Sequence, residues 1–360
     1  FIWVTSRSGN VYQQGFTGWV VGRTGDDWSV RFGSESLYDV DFTDLAHGWA
    51  VGVDGTILVW IHPFPYLRTQ TSGATEHLYE VAFVDTLTGW AVGDHGTILH
   101  TVDGGITWMP QISGTKRRLA DVTLADIHQG WAVGDKGTIL HTADGGQSWT
   151  LQSSGAKDLI CGLVFVDCKT GWAVGKKGVI LNTLDGGTNW VTQISGMKQT
   201  LFDVCFVDHK NGWTVGDEGM VMHTTDGGET WSQQQSGVKH SIRSVWSVAE
   251  QHGWMARDRM PIMRTTDGGA TWHPDNEGRV LYCTSVTFTD PKHGWAVFGN
   301  GFIQYTADGG ATWSRLSRPT NRILTGVSMI DNQHGWVVGL SGVILKYCVP
   351  VLAESAVQLQ

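Results

Sequence analysis

The sequence is short of cysteine, proline and charge and has no long apolar run, and most of these shortages remove a class of protein. Five cysteines in 360 residues, at positions 161, 168, 205, 283 and 348, are odd in number and form no Cys-x-x-Cys pair. Neither a disulfide framework nor a zinc ribbon is indicated, and buried free thiols are the expectation. The absence of Cys-x-x-Cys-His removes the attachment signal of a covalent haem. No stretch approaches the roughly 18 to 20 apolar residues of a spanning helix. Charged residues make up only 16% of the chain, with 25 basic against 34 acidic side chains and a net charge of −9. A nucleic-acid partner would need a strongly local positive surface, so none is expected. The chain starts at Phe1 without a methionine, which reads as a trimmed chain whose export signal is gone.

Glycine and tryptophan are abundant instead, with 48 and 19 copies. A Gly-Trp pair recurs with its Trp at 49, 90, 131, 172, 213, 254, 295 and 336, at a constant interval of 41 residues. A second Trp recurs at 108, 149, 190, 231, 272 and 313 with the same interval. Each unit contains short apolar or alternating patches separated by Gly-rich turns, such as Leu78–Phe83, Trp90-Ala-Val, Thr97–Thr101 and the segment after Trp108. Four short strands per unit and no helical spacing predict a β-propeller of four-stranded antiparallel blades. The strands are termed A to D. Strand A has an apolar core position at Val40, Val81, Val122, Leu163, Val204, Val245, Val286 and Val327. The B–C turn reads Gly-x-x-Gly, as in Gly93-Asp-His-Gly96, and its glycines are expected to supply positive φ.

The unit count is eight blades, with seven or nine left open. The last unit stops after strand C, so an N-terminal strand from Trp28 is expected to pair with the C-terminal blade and close the ring. Residues 1–27 are then an N-terminal extension, 28–348 the propeller and 349–360 a C-terminal tail. Trp3 to Tyr12 loosely resembles a further B–C pair.

The C–D turn carries Ser/Thr-x-Asp-x-Gly-x-Thr-Trp, as in Thr306-Ala-Asp-Gly-Gly-Ala-Thr-Trp313, with aspartates at 103, 144, 185, 226, 267 and 308. A catalytic acid is needed once and a turn in every blade, so these aspartates are expected to be structural. Together with Gly-Trp-Ala-Val-Gly strands, they make residues 28 to 348 similar to the Asp-box (bacterial neuraminidase repeat) propellers. The closest resemblance is to photosystem II assembly and stability factors and their relatives in non-photosynthetic bacteria. That resemblance implies a non-catalytic exported protein, located in the periplasm, the thylakoid lumen or another extracytoplasmic space. It further implies a scaffold or assembly factor for a larger, membrane-associated protein complex, without cofactor, that uses a basic patch on one face. The characterised factors have seven blades.

Function should sit where the repeat breaks or where one face gathers charge. Alternating strand direction puts D–A loops and B–C turns on one face. There Lys116, Lys157, Lys198 and Lys239 share one phase, joined by Arg117, Arg118, Arg279, Arg318 and Arg322, with Arg243 opening a strand A. In the unit around Trp254 the Gly-x-x-Gly turn becomes Arg257-Asp-Arg-Met260, which adds Arg257 and Arg259. Guanidinium forks pair with carboxylates, so an acidic peptide, a C-terminal tail or an anionic headgroup is the natural partner. Acidic Asp94, Asp135, Asp217 and Glu218 dilute this rim. A second departure is Trp60-Ile-His-Pro-Phe-Pro-Tyr-Leu67, which replaces an Asp box. Its Trp60, Phe64 and Tyr66 make either an exposed docking turn or packing against residues 1–27. The fourteen histidines repeat by phase in different blades and indicate no metal site. Asp39, Glu80, Asp121 and Asp203 share a strand A phase and could ring the central channel. Asp boxes also occur in sialidases, but the Arg-Ile-Pro segment of that family is absent; a glycosidase is the enzymatic alternative, and a permanent structural subunit is the alternative among binding proteins.

Overall fold

The computed structural model describes residues 3–5, 10–15, 18–23, 28–32, 36–43, 47–61, 66–70, 72–257, 262–274, 283–315, 322–329, 334–340 and 343–348. Between residues 37 and 315 the described strands form seven separate four-stranded antiparallel sheets in A-B-C-D order. In the unit around Trp90 these are Leu78–Phe83, Gly89–Gly93, Ile98–Thr101 and Met109–Pro110. Strand B is buried along its whole length, and strand A buries its first and fourth residues. The fold is thus an all-β propeller of four-stranded antiparallel blades.

An eighth sheet has seven strands. It runs Trp3–Thr5, Asn10–Gly15, Gly18–Arg23, Trp28–Phe32, Val343–Cys348, His334–Gly339, Leu324–Met329. As expected from the unit that stops at strand C, Trp28–Phe32 pairs antiparallel with Val343–Cys348, with Arg31 opposite Ile344 and Ser29 opposite Lys346. Three strands from the first 23 residues extend this sheet outward rather than standing apart. Its innermost strand, Leu324–Met329, packs against Cys283–Phe288 on one side and Leu37–Phe42 on the other.

The cores lie between sheets, and the Gly-Trp tryptophans fill them. Where strand A of the next blade ends in Phe, the indole stacks on that ring: Trp49 on Phe83, Trp131 on Phe165, Trp172 on Phe206 and Trp254 on Phe288, with centroids 3.4 to 3.6 Å apart. Trp90, Trp131 and Trp213 stack on a histidine of their own blade, His100 at 4.2 Å, His141 at 4.8 Å and His223 at 4.2 Å, so Trp131 is stacked on both faces. The stacking of each tryptophan is therefore set by two residues, one in strand A of the neighbouring unit and one in strand C of its own.

Blades are also tied by hydrogen bonds. Gln152 accepts from the Trp190 indole N–H at 2.9 Å and donates to the Gly186 carbonyl at 3.0 Å, both in the next blade. Gln193 repeats both contacts with Trp231 and Gly227. In the Asp box, Asp144 accepts from the Ser148 backbone and hydroxyl and from the Thr142 hydroxyl, while Thr142 Oγ1 accepts from Gly146 N–H at 2.7 Å. Those donors hold the Asp144 carboxyl down at about 2, the Ser148 hydroxyl first among them. The carboxylates are consumed within their own turns, as a structural motif requires. Thr142→Val leaves the buried Gly146 N–H without its acceptor and is expected to cost about 1–3 kcal/mol, readable as a lower denaturation midpoint.

The B–C glycines need a correction. The first, Gly93, has an extended φ of −166°, and positive φ falls on His95 and Gly96. Gly93 is required for another reason: a Cβ there would collide with the His77 carbonyl of the D–A loop. The same clash recurs at Gly134 with Arg118 and at Gly175 with Leu159. Of the thiols, Cys283 is buried but Cys168 is exposed, against the expectation of burial.

Candidate functional site

Strand A is innermost, so its first residues form the channel mouth on the D–A/B–C face. At the second position stand Tyr38, Tyr79, Cys161, Phe202 and Arg243. Tyr38 and Tyr79 stack at 5.6 Å, and His77 meets both rings edge-on. The Tyr79 hydroxyl donates to Asp94 at 3.0 Å in the B–C turn. The Arg118 guanidinium lies 5.6 Å from the Tyr79 ring centre, and that of Arg243 lies 4.2 Å over Phe202. Guanidinium groups laid on aromatic rings are held flat and pre-ordered. Burial raises the Cys161 thiol to about 11, so it is no nucleophile.

One layer deeper the wall is acidic. Asp39, Glu80, Asp121 and Asp203 converge as their common phase suggested, joined by Asp41. Burial raises Asp39 and Asp121 to about 7, and raises Glu80 well above the usual carboxylate range with the neighbouring aspartates adding to it. Each aspartate also bridges to the next blade: Asp39 accepts from Val81 N–H at 3.1 Å, Asp41 from Phe83 at 2.7 Å, Asp121 from Leu163 at 2.9 Å and Asp203 from Val245 at 2.9 Å. These carboxylates cover the open inner edge of each neighbouring strand, a role that repeat phase alone did not disclose. Among the described residues no three His, Cys, Asp or Glu side chains are arranged to hold a metal ion.

Lys116 and Arg117 are exposed on the rim, and Arg117 donates to the Lys136 carbonyl and the Thr138 hydroxyl. Arg118 is half-buried and pairs with Asp135 at 3.4 Å. Arg322 is exposed beside the start of strand Leu324–Met329. Arg257 ends strand His252–Arg257, opposite Ile242 one residue from Arg243, so its backbone adjoins the mouth. Arg259, Arg279, Arg318 and Phe64 lie outside the described residues. Trp60 to Leu67 reads in the sequence as one turn. Trp60 instead belongs to strand Ile57–Ile61 and Tyr66 to strand Tyr66–Gln70, with Ile61 opposite Tyr66, so the ladder reaches further toward the turn than expected. The aromatic contacts of Arg118 and Arg243 were missed; an aromatic at the second position of strand A beside a cationic neighbour is the signal that could have found them.

Repeated Asp boxes on such sheets define a repeat propeller with a cationic, aromatic mouth. The chain matches the family model described as photosynthesis system II assembly factor YCF48 over residues 67–150, 111–195, 151–233, 192–275 and 280–348. It belongs to that family. Among solved structures it is similar to "YCF48 bound to D1 peptide", at 18% identity and TM-score 0.63 over 90% of this chain and 96% of that one. It is similar as well to YCF48 from Cyanidioschyzon merolae, at 20% identity and TM-score 0.60 over 88% and 96%. The computationally designed protein Ika8 superposes with TM-score 0.75 at 13% identity, covering 88% of this chain and 98% of that one. No curated protein matches the chain.

Proposed function

We propose that the protein is a non-catalytic, exported scaffold that holds an acidic segment of a partner protein on its D–A/B–C face while a larger, membrane-associated complex is assembled. The observation that carries this reading is Arg243 laid on Phe202 at the channel mouth, with Arg118 over Tyr79 across the same opening. The peptide held by the YCF48 relative supports a peptide as the ligand class. A non-catalytic role is supported by the carboxylates themselves, since those of the Asp boxes and of the channel aspartates are engaged by backbone N–H groups. Among the described residues no helix is long and apolar enough to cross a membrane. We also infer that the seven-stranded sheet serves as an eighth blade, through Leu324–Met329, His334–Gly339, Val343–Cys348 and Trp28–Phe32 in that order.

Arg243→Glu with Arg322→Glu is expected to weaken binding of a labelled peptide with several carboxylates by at least about tenfold, because each reversed charge removes a carboxylate partner and adds a repulsion. The melting temperature should stay close to that of the wild type. Equal peptide affinity in the double variant, measured by fluorescence anisotropy, would overturn the assignment of this face.

A further inference from the structure

We propose that the rim formed by residues 109–118, 150–159 and 191–200 is a second docking surface, which lays one sector of the propeller on an anionic lipid bilayer. The repeat supplies its own control. The second residue after the Asp-box tryptophan, on the outermost strand, and the fourth, just beyond its end, are both exposed to solvent. They are Pro110 and Ile112, Leu151 and Ser153, and Thr192 and Ile194 in three consecutive blades, whereas the next blade has Gln233 and Gln235. Ile112 and Ile194 are each 88% exposed, and Leu151, Met109 and Val191 are exposed too. No packing need explains isoleucine where another unit works with glutamine.

Strand D runs toward the D–A face, so these side chains lead directly into the basic loops. Ile112 stands four residues before Lys116, and Ile194 four before Lys198. The three D–A loops at 114–118, 155–159 and 196–200, with the B–C turns at 135–137 and 176–178, carry Lys116, Arg117, Arg118, Lys136, Lys157, Lys176, Lys177 and Lys198 against Asp135 and Asp158, while the turn packed on the third loop, 217–219, carries Asp217 and Glu218. The first two acids are already used, Asp135 by Arg118 at 3.4 Å and Asp158 by Lys177 at 2.9 Å. The sector ends at acidic turns on either side, Asp94 with Glu76 and Asp217 with Glu218. Exposed isoleucines beside flexible lysines suit the headgroup boundary of an anionic leaflet, where apolar tips insert and the ammonium groups need no fixed geometry. Charge complementarity singles out that occupant from a molecule whose net charge is −9.

The test is flotation with vesicles of phosphatidylcholine alone or doped with phosphatidylglycerol. The wild type should float only with the doped vesicles, and salt should weaken this. Ile112→Ser with Ile194→Ser should reduce binding at least about tenfold, since each buried isoleucine is worth about that factor. Lys116→Glu with Lys157→Glu and Lys198→Glu should abolish it. Lys292→Glu, in an exposed A–B turn on the opposite face, should leave it within about twofold. Circular dichroism melts check that the exposed substitutions keep the fold. The proposal is overturned if the wild type does not float with doped vesicles, or if the isoleucine variant floats as well as the wild type. It is overturned in favour of a second copy of the chain if vesicles fail and the isoleucine variant loses a dimer seen by light scattering.

Discussion

Trp172→Ala should be the most destabilising of the single substitutions considered, at about 3–5 kcal/mol, because it empties a site between two blades. The indole is fully buried, stacks on Phe206 at 3.5 Å and donates to the Gly227 carbonyl at 3.0 Å, so both the apolar contact and a tie to the next blade go together. Trp213 occupies the same phase but has no hydrogen-bond partner for its indole nitrogen among the described residues. Trp213→Phe therefore removes a buried, unsatisfied N–H and should change stability by less than about 1 kcal/mol. Urea denaturation of Trp172→Phe beside Trp213→Phe isolates the hydrogen bond to Gly227, and equal losses at the two positions would contradict its contribution.

The second large effect concerns pH. Asp39 and Asp121 titrate near about 7 in the folded ring, against about 4 for an aspartate in an unfolded chain. Below about pH 4 both states hold these protons, and the stability they contribute is complete; as pH rises toward 7 only the folded ring still holds them, and that contribution is lost. His100, His141 and His223 act in the opposite sense, because burial lowers them and the unfolded chain takes up protons first as pH falls. Five channel carboxyls against three histidines leave the acids ahead. The protein should melt higher at pH 5.5 than at pH 8, and Asp39→Asn with Asp121→Asn should gain several kcal/mol at pH 8 and about half as much at pH 5.5. The amide oxygens can still accept from Val81 and Leu163, so the inner ties survive the substitution. A wild type that melts higher at pH 8 would refute this balance. Asp144, Asp226 and Asp267, held down at about 2, set the other limit: their contribution is lost only as pH falls below about 4.

Much of the architecture was legible in the sequence because a propeller writes each blade at one phase. Two tryptophans at a fixed interval located strands B and D, and the missing strand D of the last unit called for Trp28–Phe32. Phase says what a residue is within its unit but not which neighbour it meets. Hence the stacking of Trp172 on Phe206 escaped the sequence, since that ring belongs to the next unit. The role of Asp121 escaped it too, since its hydrogen-bond partner is Leu163, 42 residues on. The Gly-x-x-Gly turn misled for a local reason: its first glycine answers a close approach by the D–A loop, not a left-handed backbone. At the mouth, Arg243 could be read as basic, but the ring beneath it could not, because Phe202 lies one blade away.

Quantitative mass spectrometry of what co-purifies with the tagged protein from its own host tests the central claim most directly, with the wild type and Arg243→Glu/Arg322→Glu side by side. The account predicts a substoichiometric, unassembled membrane-protein subunit with the wild type and its loss from the variant. A finished complex retained at fixed stoichiometry by both proteins would contradict it and would mean a permanent structural subunit attached through another surface.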